Sequence, residues 1–426
     1  MGSPQEGESS KTLTVLTEYF HPEEASTAQL LTELATGLQQ RYEFDVSVLT
    51  SHPNYHDEDR RMSVPRRETH EGVVIERLRS TRFDKDSIPL RVVNWITFTV
   101  LALVRLLCGH SDDDAVLVLS NPPILPLIAW VNHKIRGVPY VYLVYDVYPD
   151  MAVELGYLER NGIVARAWDR LMRPVYRDAD RIIVLGDSME RHLTEKLEHD
   201  SDFKPGCIEV IPNWEDEDFI EPCKKETNDF AKENDTVDKF TLLYSGNIGR
   251  FHELETAIDA IAQLESRGRK DIQLLIIGEG ARKEELQKEV RRRHIDNVRF
   301  LPFQPLEQLP ETLTCGDASL VGIKPEMEGM CVSSKLYSSL AAGMPIMAVV
   351  GDGDEVARVV REYDCGSYVP PDDVETAADV LAEWADKPET VQDLGRNARE
   401  CFEQRYTVDH ALRQYAGLFD EVVGSN

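Results

Sequence analysis

Short apolar runs alternate with amphipathic segments along almost the whole chain. In the first half, the runs TLTVLTEYF, DVSVLTS, AVLVLS, YVYLVY and RIIVLG are rich in β-branched residues, as strands buried on both faces of a parallel sheet are. After the first run, Leu30, Leu31, Leu34 and Leu38 recur at helical spacing behind Ser26, where we predict a helix to begin. The first half therefore predicts a parallel α/β domain.

The same alternation restarts at Phe240 with the runs FTLLYSGNIG, IQLLIIGEG, NVRFLPF, ASLVGIK and MPIMAVVG. Before it, the charged stretch EPCKKETNDFAKENDTVDK predicts an excursion or linker. Because 426 residues exceed what one hydrophobic core usually supports, we predict two Rossmann-like, doubly wound domains that face each other across a cleft. The predicted divisions are a disordered tail over 1–11, a first domain over 12–205, a second over 206–405, and a C-terminal helix over 406–426 that packs back on the first domain.

Acidic residues outnumber basic ones by 76 to 47, which gives a formal net charge of −29. A surface this acidic repels nucleic-acid phosphates, so we expect no nucleic-acid partner, and it suits a protein of a salty, halophilic cytoplasm. The seven cysteines are scattered and form no C-x-x-C pair, which argues against a disulfide framework or a zinc site. The polar start MGSPQEGESSK has no apolar signal core, so we expect a cytoplasmic protein.

Glycine-rich turns follow two of the second-half strands. In YSGNIGRF, Gly246 and Gly249 would let backbone N–H groups approach an anion while Arg250 adds a positive charge. That turn alone fits a phosphate cradle and an ordinary tight turn about equally. A second glycine turn in IGEGARKEEL and the cation Lys335 at a predicted helix start favour the cradle, although a solvated lysine remains an alternative.

An ordered series of motifs carries a family resemblance. YFHPEEASTAQLLTEL, LTSHPNY, SNPPI, YDVYPDMAVELG, IPNW, LYSGNIGRFHELETAIDAI, LLIIGEG, SSKLYSSLAAGMPIMA and GDGDEVARVV together resemble the family 4 retaining glycosyltransferases, over roughly residues 12–423. Within that family, the sequence is most similar to the branch of fucosamine-type transferases of O-antigen and capsule assembly. The resemblance implies a GT-B fold, a nucleotide diphosphate sugar donor, a lipid-linked or glycan acceptor, and no further cofactor.

The resemblance also assigns donor-binding residues. It places the diphosphate against the glycine turn and basic residues, and the base and ribose near the next loop, so the implied donor set is Gly246, Asn247, Gly249, Arg250, Gly278, Glu279, Ser334, Lys335 and Ser338. Ser338 stands where the second acid of the family's E-x7-E pattern is usual, and a hydroxyl reaches less far than a carboxylate. For the first acid we favour Glu328 over Glu326, because it precedes Gly329. Glu253 replaces a usual glycine, and beside a diphosphate we expect it to point away.

The tip of YDVYPD supplies the first-domain acids. Asp146 would face the cleft across from the cradle, where it would orient the acceptor or take its proton. For Asp150 we favour a helix N-cap. No nucleophile is well placed, so retention implies front-side displacement with Arg250 and Lys335 stabilising the departing diphosphate. No D-x-D pair follows a second-half strand, so no metal is expected, and DGD at 352–354 is predicted to cap a helix.

The segment 89–108 bears on the acceptor. It is strongly apolar but contains Arg91 and Arg105, which leave an uncharged core too short to span a bilayer. It fits an interfacial helix on the inner face of the membrane and a buried first-domain helix equally well. Two other functions stay open: a nucleotide-sugar 2-epimerase of the same fold, and a non-catalytic nucleotide-binding partner subunit. In the loop HPEEAST, His21 is expected to be structural.

Overall fold

The computed structural model describes residues 11–54, 62–84, 87–109, 113–200 and 202–424. The first eight strands form one sheet in the order β3-β4-β2-β1-β5-β6-β7-β8, parallel except for the β3–β4 hairpin. Their apolar side chains are buried on both faces, as the runs of β-branched residues predict. The strands are β1 (Lys11–Leu16), β2 (Phe44–Ser51), β3 (Arg67–His70), β4 (Val73–Leu78), β5 (Ala115–Leu119), β6 (Tyr140–Val144), β7 (Arg181–Val184) and β8 (Ile208–Val210).

A second, fully parallel sheet follows in the order β11-β10-β9-β12-β13-β14. Chain order reverses beside β1 in the first sheet and beside β9 in the second, which are the positions where sheets of this kind bind ligands. The strands are β9 (Phe240–Ser245), β10 (Ile272–Ile277), β11 (Val298–Leu301), β12 (Ala318–Gly322), β13 (Ile346–Val349) and β14 (Gly366–Val369).

Helices connect the strands in both sheets. Those of the first sheet are α1 (Ser26–Arg41), α2 (Ile88–Gly109), α3 (Pro126–Arg136), α4 (Asp150–Glu154), α5 (Ile163–Arg177) and α6 (Asp187–Leu197). The others are α7 (Asp229–Glu233), α8 (Glu255–Ser266), α9 (Lys283–Arg292), α10 (Leu309–Leu313), α11 (Lys335–Ala341), α12 (Glu355–Glu362), α13 (Val374–Asp386), α14 (Pro388–Arg405) and α15 (Val408–Gly424). Short 3₁₀ turns lie at Pro205–Cys207, Leu306–Gln308 and Pro325–Met327.

The predicted domain limits differ from the structure at three places. The boundary after residue 205 is too early, because β8 pairs with β7 and completes the first sheet. The charged stretch over 221–239 is not a free linker: it contains α7, and Phe230 is buried in a small cluster under the second sheet. At the start of the chain, Lys11 belongs to β1, and the rest of the predicted tail lies outside the described residues.

The last helix, α15, packs on the first domain although it follows the second sheet. Leu412 lies against Gly37 of α1, and Phe419 is fully buried with its ring 6.0 Å from that of Phe44. At the rim, Lys11 pairs with Asp420 at 2.6 Å. The helix therefore joins the two domains through apolar contacts. The exposed ion pair at the rim adds little to the free energy of folding.

Truncation of Phe419 tests this attachment. We expect Phe419→Ala to destabilise the first domain by about 3–5 kcal/mol, because a buried aromatic side chain leaves a cavity that the surroundings fill only in part. Differential scanning calorimetry should show a lower Tm, while Gln414→Ala, at an exposed position of the same helix, should leave it unchanged. Equal Tm values for the two variants would show that α15 is not held by this contact.

Helix α2 lies against the first sheet by one side. Phe98, Ala102 and Leu106 are buried, whereas Ile96, Val100 and Val104 are about half exposed. Among the described residues, this helix alone is long and apolar enough to cross a membrane by length and composition, with 28% of its most apolar window buried. Arg91 and Arg105 still leave only a short uncharged core, although the helix as a whole extends over 22 residues, and Arg105 pairs with Glu76 of β4 at 2.7 Å.

Candidate functional site

Two glycine turns touch at the carboxyl ends of β9 and β10. Gly246 has a φ of 129° and Gly278 a φ of 149°, a backbone region that side chains rarely allow. A Cβ atom on Gly278 would stand 1.9 Å from the carbonyl oxygen of Gly246. Only glycine at Gly278 lets the loops approach this closely, so the two turns form one continuous wall.

Lys335 lies against this wall. It is the first residue of α11, and its Nζ is 5.0 Å from the centre of the Tyr244 ring. A Cβ atom on Gly246 would be 3.3 Å from that Nζ. Burial lowers the pKa of Lys335 to about 8, because the position offers its charge little water. The structure thus places a poorly solvated ammonium group over the first glycine turn.

His252 completes the cluster and was not predicted from the sequence. Its Nδ1 accepts a hydrogen bond of 2.9 Å from the Gly249 N–H, so the neutral ring carries its proton on Nε2. Burial, with the charges of Lys335 and Arg282, lowers the pKa of His252 well below its usual value. Its Nε2 stands 3.4 Å from Nζ of Lys335. Two donors therefore converge, and an anion between them would satisfy both.

The other predicted donor residues lie around this cluster with looser ties. Asn247 is exposed on the first turn, and its carbonyl accepts a hydrogen bond of 2.6 Å from the Tyr244 hydroxyl. Arg250 is exposed after the same turn and forms no ion pair with any described residue. Glu279 is exposed, and its carboxylate pairs with Lys283 at 2.6 Å. The structure thus brings the backbone of these residues to the cradle but does not fix the side chains of Arg250 and Glu279 there.

Two serines flank Lys335 on α11. Ser334 is exposed at the N-cap position without a capping hydrogen bond, and Ser338 lies one turn further along, partly buried. The Ser338 hydroxyl makes only long contacts of 3.5 Å to the carbonyl oxygens of Ser334 and Lys335. Both hydroxyls therefore remain available to a ligand that binds at Lys335.

Glu253 points away from the cradle, as predicted. Its carboxylate accepts hydrogen bonds of 3.0 Å from both the backbone N–H and the hydroxyl of Thr256, at the start of α8. Burial raises the pKa of Glu253 to about 6. The Glu253 carboxylate thus binds the first turn of α8 and does not face the anion site.

Glu328 is turned toward the loop between β13 and α12. One oxygen accepts a hydrogen bond of 3.2 Å from the Gly353 N–H, and a Cβ atom on Gly351 would be 2.4 Å from the carboxylate. Asp354 in that loop caps α12 through Val356 at 2.8 Å, which confirms the capping prediction for the DGD motif. No hydrogen bond among the described residues joins Glu328 to Lys335. The expected place of Glu328 near the sugar therefore requires its side chain to reach from this loop to the donor.

Asp146 lies two residues beyond β6, on the opposite side of the cleft. Its N–H donates to the Ser120 hydroxyl at 3.2 Å, and no described residue donates a hydrogen bond to its carboxylate. Burial raises the pKa of Asp146 to about 6. The N–H of the next residue, Val147, donates a hydrogen bond of 2.9 Å to the Met330 carbonyl of the second domain. Burial raises the pKa of the Cys331 thiol well above its usual value; the charge of Asp146 adds to this and that of Lys335 opposes it, so both charged groups lie near this thiol.

The capping prediction for Asp150 is wrong. Asp150 is the first residue of α4 and makes no capping hydrogen bond; its carboxylate instead binds Lys196 at 2.6 Å and His192 at 3.3 Å. Burial opposes ionisation here, but the two partners from α6 lower the pKa of Asp150. The residue therefore ties α4 to α6 beneath the cleft.

An acid that the sequence did not single out, Glu18, lies two residues beyond β1. Glu18 is 5% exposed, and its Oε2 atom has no hydrogen-bond partner. Burial and the neighbouring Glu23 raise the pKa of Glu18 to about 8, so it stays protonated at neutral pH. Nearby, the His21 ring stacks on His70 with centroids 3.8 Å apart, which fits the structural role expected for it.

Comparisons with known proteins agree with this architecture. Residues 27–214 match the family described as "Glycosyl transferase 4-like domain", and residues 225–401 match "Glycosyl transferases group 1". The chain is 28% identical over 335 residues to the probable glycosyltransferase WbjE of Pseudomonas aeruginosa, covering 79% of this chain and 81% of the relative. It is 26% identical over 289 residues to the putative colanic acid biosynthesis glycosyl transferase WcaI of Escherichia coli K12, covering 66% and 68%.

Solved structures show the same fold. Anabaena HepE in complex with UDP-glucose superimposes with a TM-score of 0.70 at 14% identity, covering 97% of this chain and all of that one. The two parallel-sheet domains thus form a GT-B fold, as predicted, which is a class of glycosyltransferase architecture. Each domain model matches less than half of the chain, but the two matches follow one another in order, and together they support the predicted family 4 glycosyltransferase. Its assignment to the fucosamine-type branch stays a prediction.

Proposed function

We propose that the protein transfers a sugar, with retention, from a nucleotide diphosphate sugar to a lipid-linked glycan acceptor in the assembly of a surface polysaccharide or a glycoprotein glycan. One observation carries the proposal: Nζ of Lys335 and Nε2 of His252 converge at 3.4 Å beside the touching glycine turns. Two donors this close repel unless an acceptor stands between them. A diphosphate oxygen supplies that acceptor, and HepE offers a structural parallel with a bound UDP-sugar.

The first domain supports the acceptor half of the proposal. Asp146 presents a carboxylate to which no described residue donates a hydrogen bond, next to the hydrogen bond from Val147 to Met330 at the floor of the cleft. In front-side displacement, the acceptor hydroxyl attacks on the face from which the diphosphate leaves, and Asp146 would orient that hydroxyl. Lys335, His252 and the exposed Arg250 would stabilise the departing diphosphate in place of a resident divalent metal.

The exposed side of α2 supports a peripheral position on the cytoplasmic face of a membrane, where lipid-linked acceptors are held. Its exposed residues Ile96, Val100 and Val104 follow one another at helical spacing, and Arg91 and Arg105 lie toward the two ends. A helix of this composition binds the boundary between headgroups and acyl chains. The charge of −29 adds a preference for high salt, where repulsion within the protein is screened.

A nucleotide screen with a His252 variant tests the donor site. UDP should raise the Tm of the wild-type protein, since a ligand of the folded state stabilises it, and UDP-sugars with other nucleotide sugars would then identify the donor. We expect His252→Ala to weaken nucleotide binding by roughly 10–100-fold in calorimetric titration, the effect of one hydrogen bond to a charged group. His199→Ala is the matched control, because that side chain is 85% exposed.

Donor hydrolysis separates the alternatives. A transferase should hydrolyse its donor slowly with EDTA present, an epimerase should convert the donor to an isomeric nucleotide sugar, and a binding subunit should do neither. If no nucleotide sugar binds the folded wild-type protein at any salt concentration, the proposed function is wrong.

A further inference from the structure

A groove of about 1110 Å³ lies beside α4, α5 and α6, outside the donor cradle. Its walls include five arginines together with four acids, Asp150, Glu154, Asp169 and Asp200, so the lining is close to neutral overall in a chain of net charge −29. The arginines are Arg160, Arg166, Arg170, Arg173 and Arg177. The spacing of the last four along α5 puts them on one side of the helix, so they form a single stripe.

Ion pairs neutralise some of the five arginines but not all of them. Arg160 pairs with Glu154, Arg173 with Asp169 at 3.1 Å, and Arg177 with Asp178 at 2.9 Å. Asp150 and Asp169, which also line the groove, are both held by Lys196.

Arg166 and Arg170 are different. Both are exposed, and within the described part of the chain neither forms an ion pair. Like charges one helical turn apart destabilise each other, so an external anion bound by both guanidinium groups would relieve this repulsion. Guanidinium groups match the oxygens of a phosphate in paired hydrogen bonds, which makes phosphate the fitting chemistry.

One end of the groove lies beside the cleft between the domains. Asp150 and Met330 line it, and the Met330 carbonyl accepts the hydrogen bond from Val147, the neighbour of Asp146. An anion bound at Arg166 and Arg170 would therefore lie on the same side of the cleft floor as the predicted acceptor acid, away from the cradle at Lys335.

The surroundings of the groove are apolar and exposed. On α5 itself, Ile163 is 79% and Val164 63% exposed, and Leu171 is half exposed. Helix α3 contacts both α5 and α2, so the exposed valines of α2 belong to the same side of the first domain. A phosphate held at the arginine stripe would thus stand next to a surface that suits a long hydrocarbon chain.

We propose that this groove binds the diphosphate that joins the acceptor glycan to its polyprenyl carrier. The glycan would extend inward toward Asp146, and the prenyl chain would leave across the exposed apolar side chains of α5 and α2. This proposal rests on the proposed function and adds the part of the acceptor that the protein recognises independently of the sugar.

Farnesyl diphosphate is a suitable probe, because it carries the diphosphate and a short prenyl chain without any glycan. We expect the wild-type protein to bind it in calorimetric titration more tightly than inorganic pyrophosphate or farnesol. The double variant Arg166→Gln/Arg170→Gln should bind it at least about tenfold more weakly, since two charge-assisted contacts are lost. Arg291→Gln/Arg292→Gln on α9 removes the same charge from exposed positions and should bind normally.

The remaining outcomes would overturn the proposal in distinct ways. Equal binding of pyrophosphate would indicate a simple anion site, and displacement of the probe by UDP would place it in the cradle. Binding of phosphatidylglycerol vesicles that depends on Arg166 and Arg170, without any effect on farnesyl diphosphate, would indicate a lipid headgroup contact. Because the titration needs no donor, failure of nucleotide binding would contradict the proposed function and leave this result intact.

Discussion

Replacing Lys335 with methionine is expected to lower kcat/KM for the donor by roughly 10²–10³-fold, the loss seen when one preorganised electrostatic contact to a developing charge is removed. Lys335 stands over Gly246 with its ammonium group 3.4 Å from Nε2 of His252. The rate of donor hydrolysis, followed as release of the nucleoside diphosphate, measures this effect. Nucleotide affinity should fall as well, because the same charge holds the diphosphate before the bond breaks.

The stability of the ligand-free variant separates a binding role from a structural one. Burial lowers the pKa of Lys335 to about 8, which means that the folded protein holds this charge at a cost. Methionine removes that cost and keeps the apolar length of the side chain, so the Tm without ligand should not fall. Lys288→Met, at an exposed site on α9, should change neither rate nor Tm. A Lys335→Met protein with a lowered Tm and normal donor affinity would contradict the assignment.

The two domains, and the sheet edges at which they bind ligands, could be predicted from sequence. The reason is that burial determines the residue types of each strand locally. Runs such as YVYLVY and IQLLII have apolar residues on both faces, which leaves little choice except a central parallel strand. The positions of the two glycine turns, at Gly246 and at Gly278, are likewise local, since each follows directly on the end of a strand. Lys335 could be singled out because a lysine at a helix start is unfavourable without an anion nearby.

The remaining site features depend on contacts between distant parts of the chain. His252 looks like any loop histidine until Gly249 fixes its proton on Nε2 and brings that atom against Lys335. Asp150 stands in the sequence where a helix cap is expected, but its carboxylate forms an ion pair with Lys196 of α6 instead. Glu18 is an ordinary acid after a strand, and only the packing of the first domain over it raises its pKa to about 8. A periodic pattern carries no information on such pairings.

The arginine stripe of α5 is an intermediate case. Its residues are visible in the sequence as IVARAWDRLMRPVYR, yet amphipathic helices with arginines on the outer side are common on solvated surfaces. What the sequence does not show is that the stripe lines a groove leading to Met330, or that Arg166 and Arg170 form no ion pair with a carboxylate in the described part of the chain. Both features depend on the tertiary contacts that α4 and α6 make with α5.

Asp146→Asn is expected to lower kcat by roughly 10²–10³-fold, the usual contribution of a positioned general base, and to leave the KM for the donor nearly unchanged. The amide keeps the shape of the side chain and its oxygen can still accept a hydrogen bond, but it is uncharged and cannot take the proton of the acceptor hydroxyl. Asp146 lies on the first domain, so nucleotide binding at Lys335 should be normal in calorimetric titration. A matched loss of donor affinity would instead indicate that Asp146 holds the two domains together.

The pH dependence gives Asp146 a signature that a structural role would not produce. Burial raises the pKa of Asp146 to about 6, so protonation should remove the base as the pH falls through 6, and the rate should fall with it. Lys335 loses its charge above a pKa of about 8, which should lower donor use on the alkaline side. Wild-type kcat/KM should therefore be highest between about pH 6 and 8. Asp146→Asn should lack the acidic limb and keep the alkaline one, whereas Lys335→Met should show the reverse. If both variants retain the wild-type profile, neither group titrates in the reaction, and the charges that govern transfer lie elsewhere in the cleft.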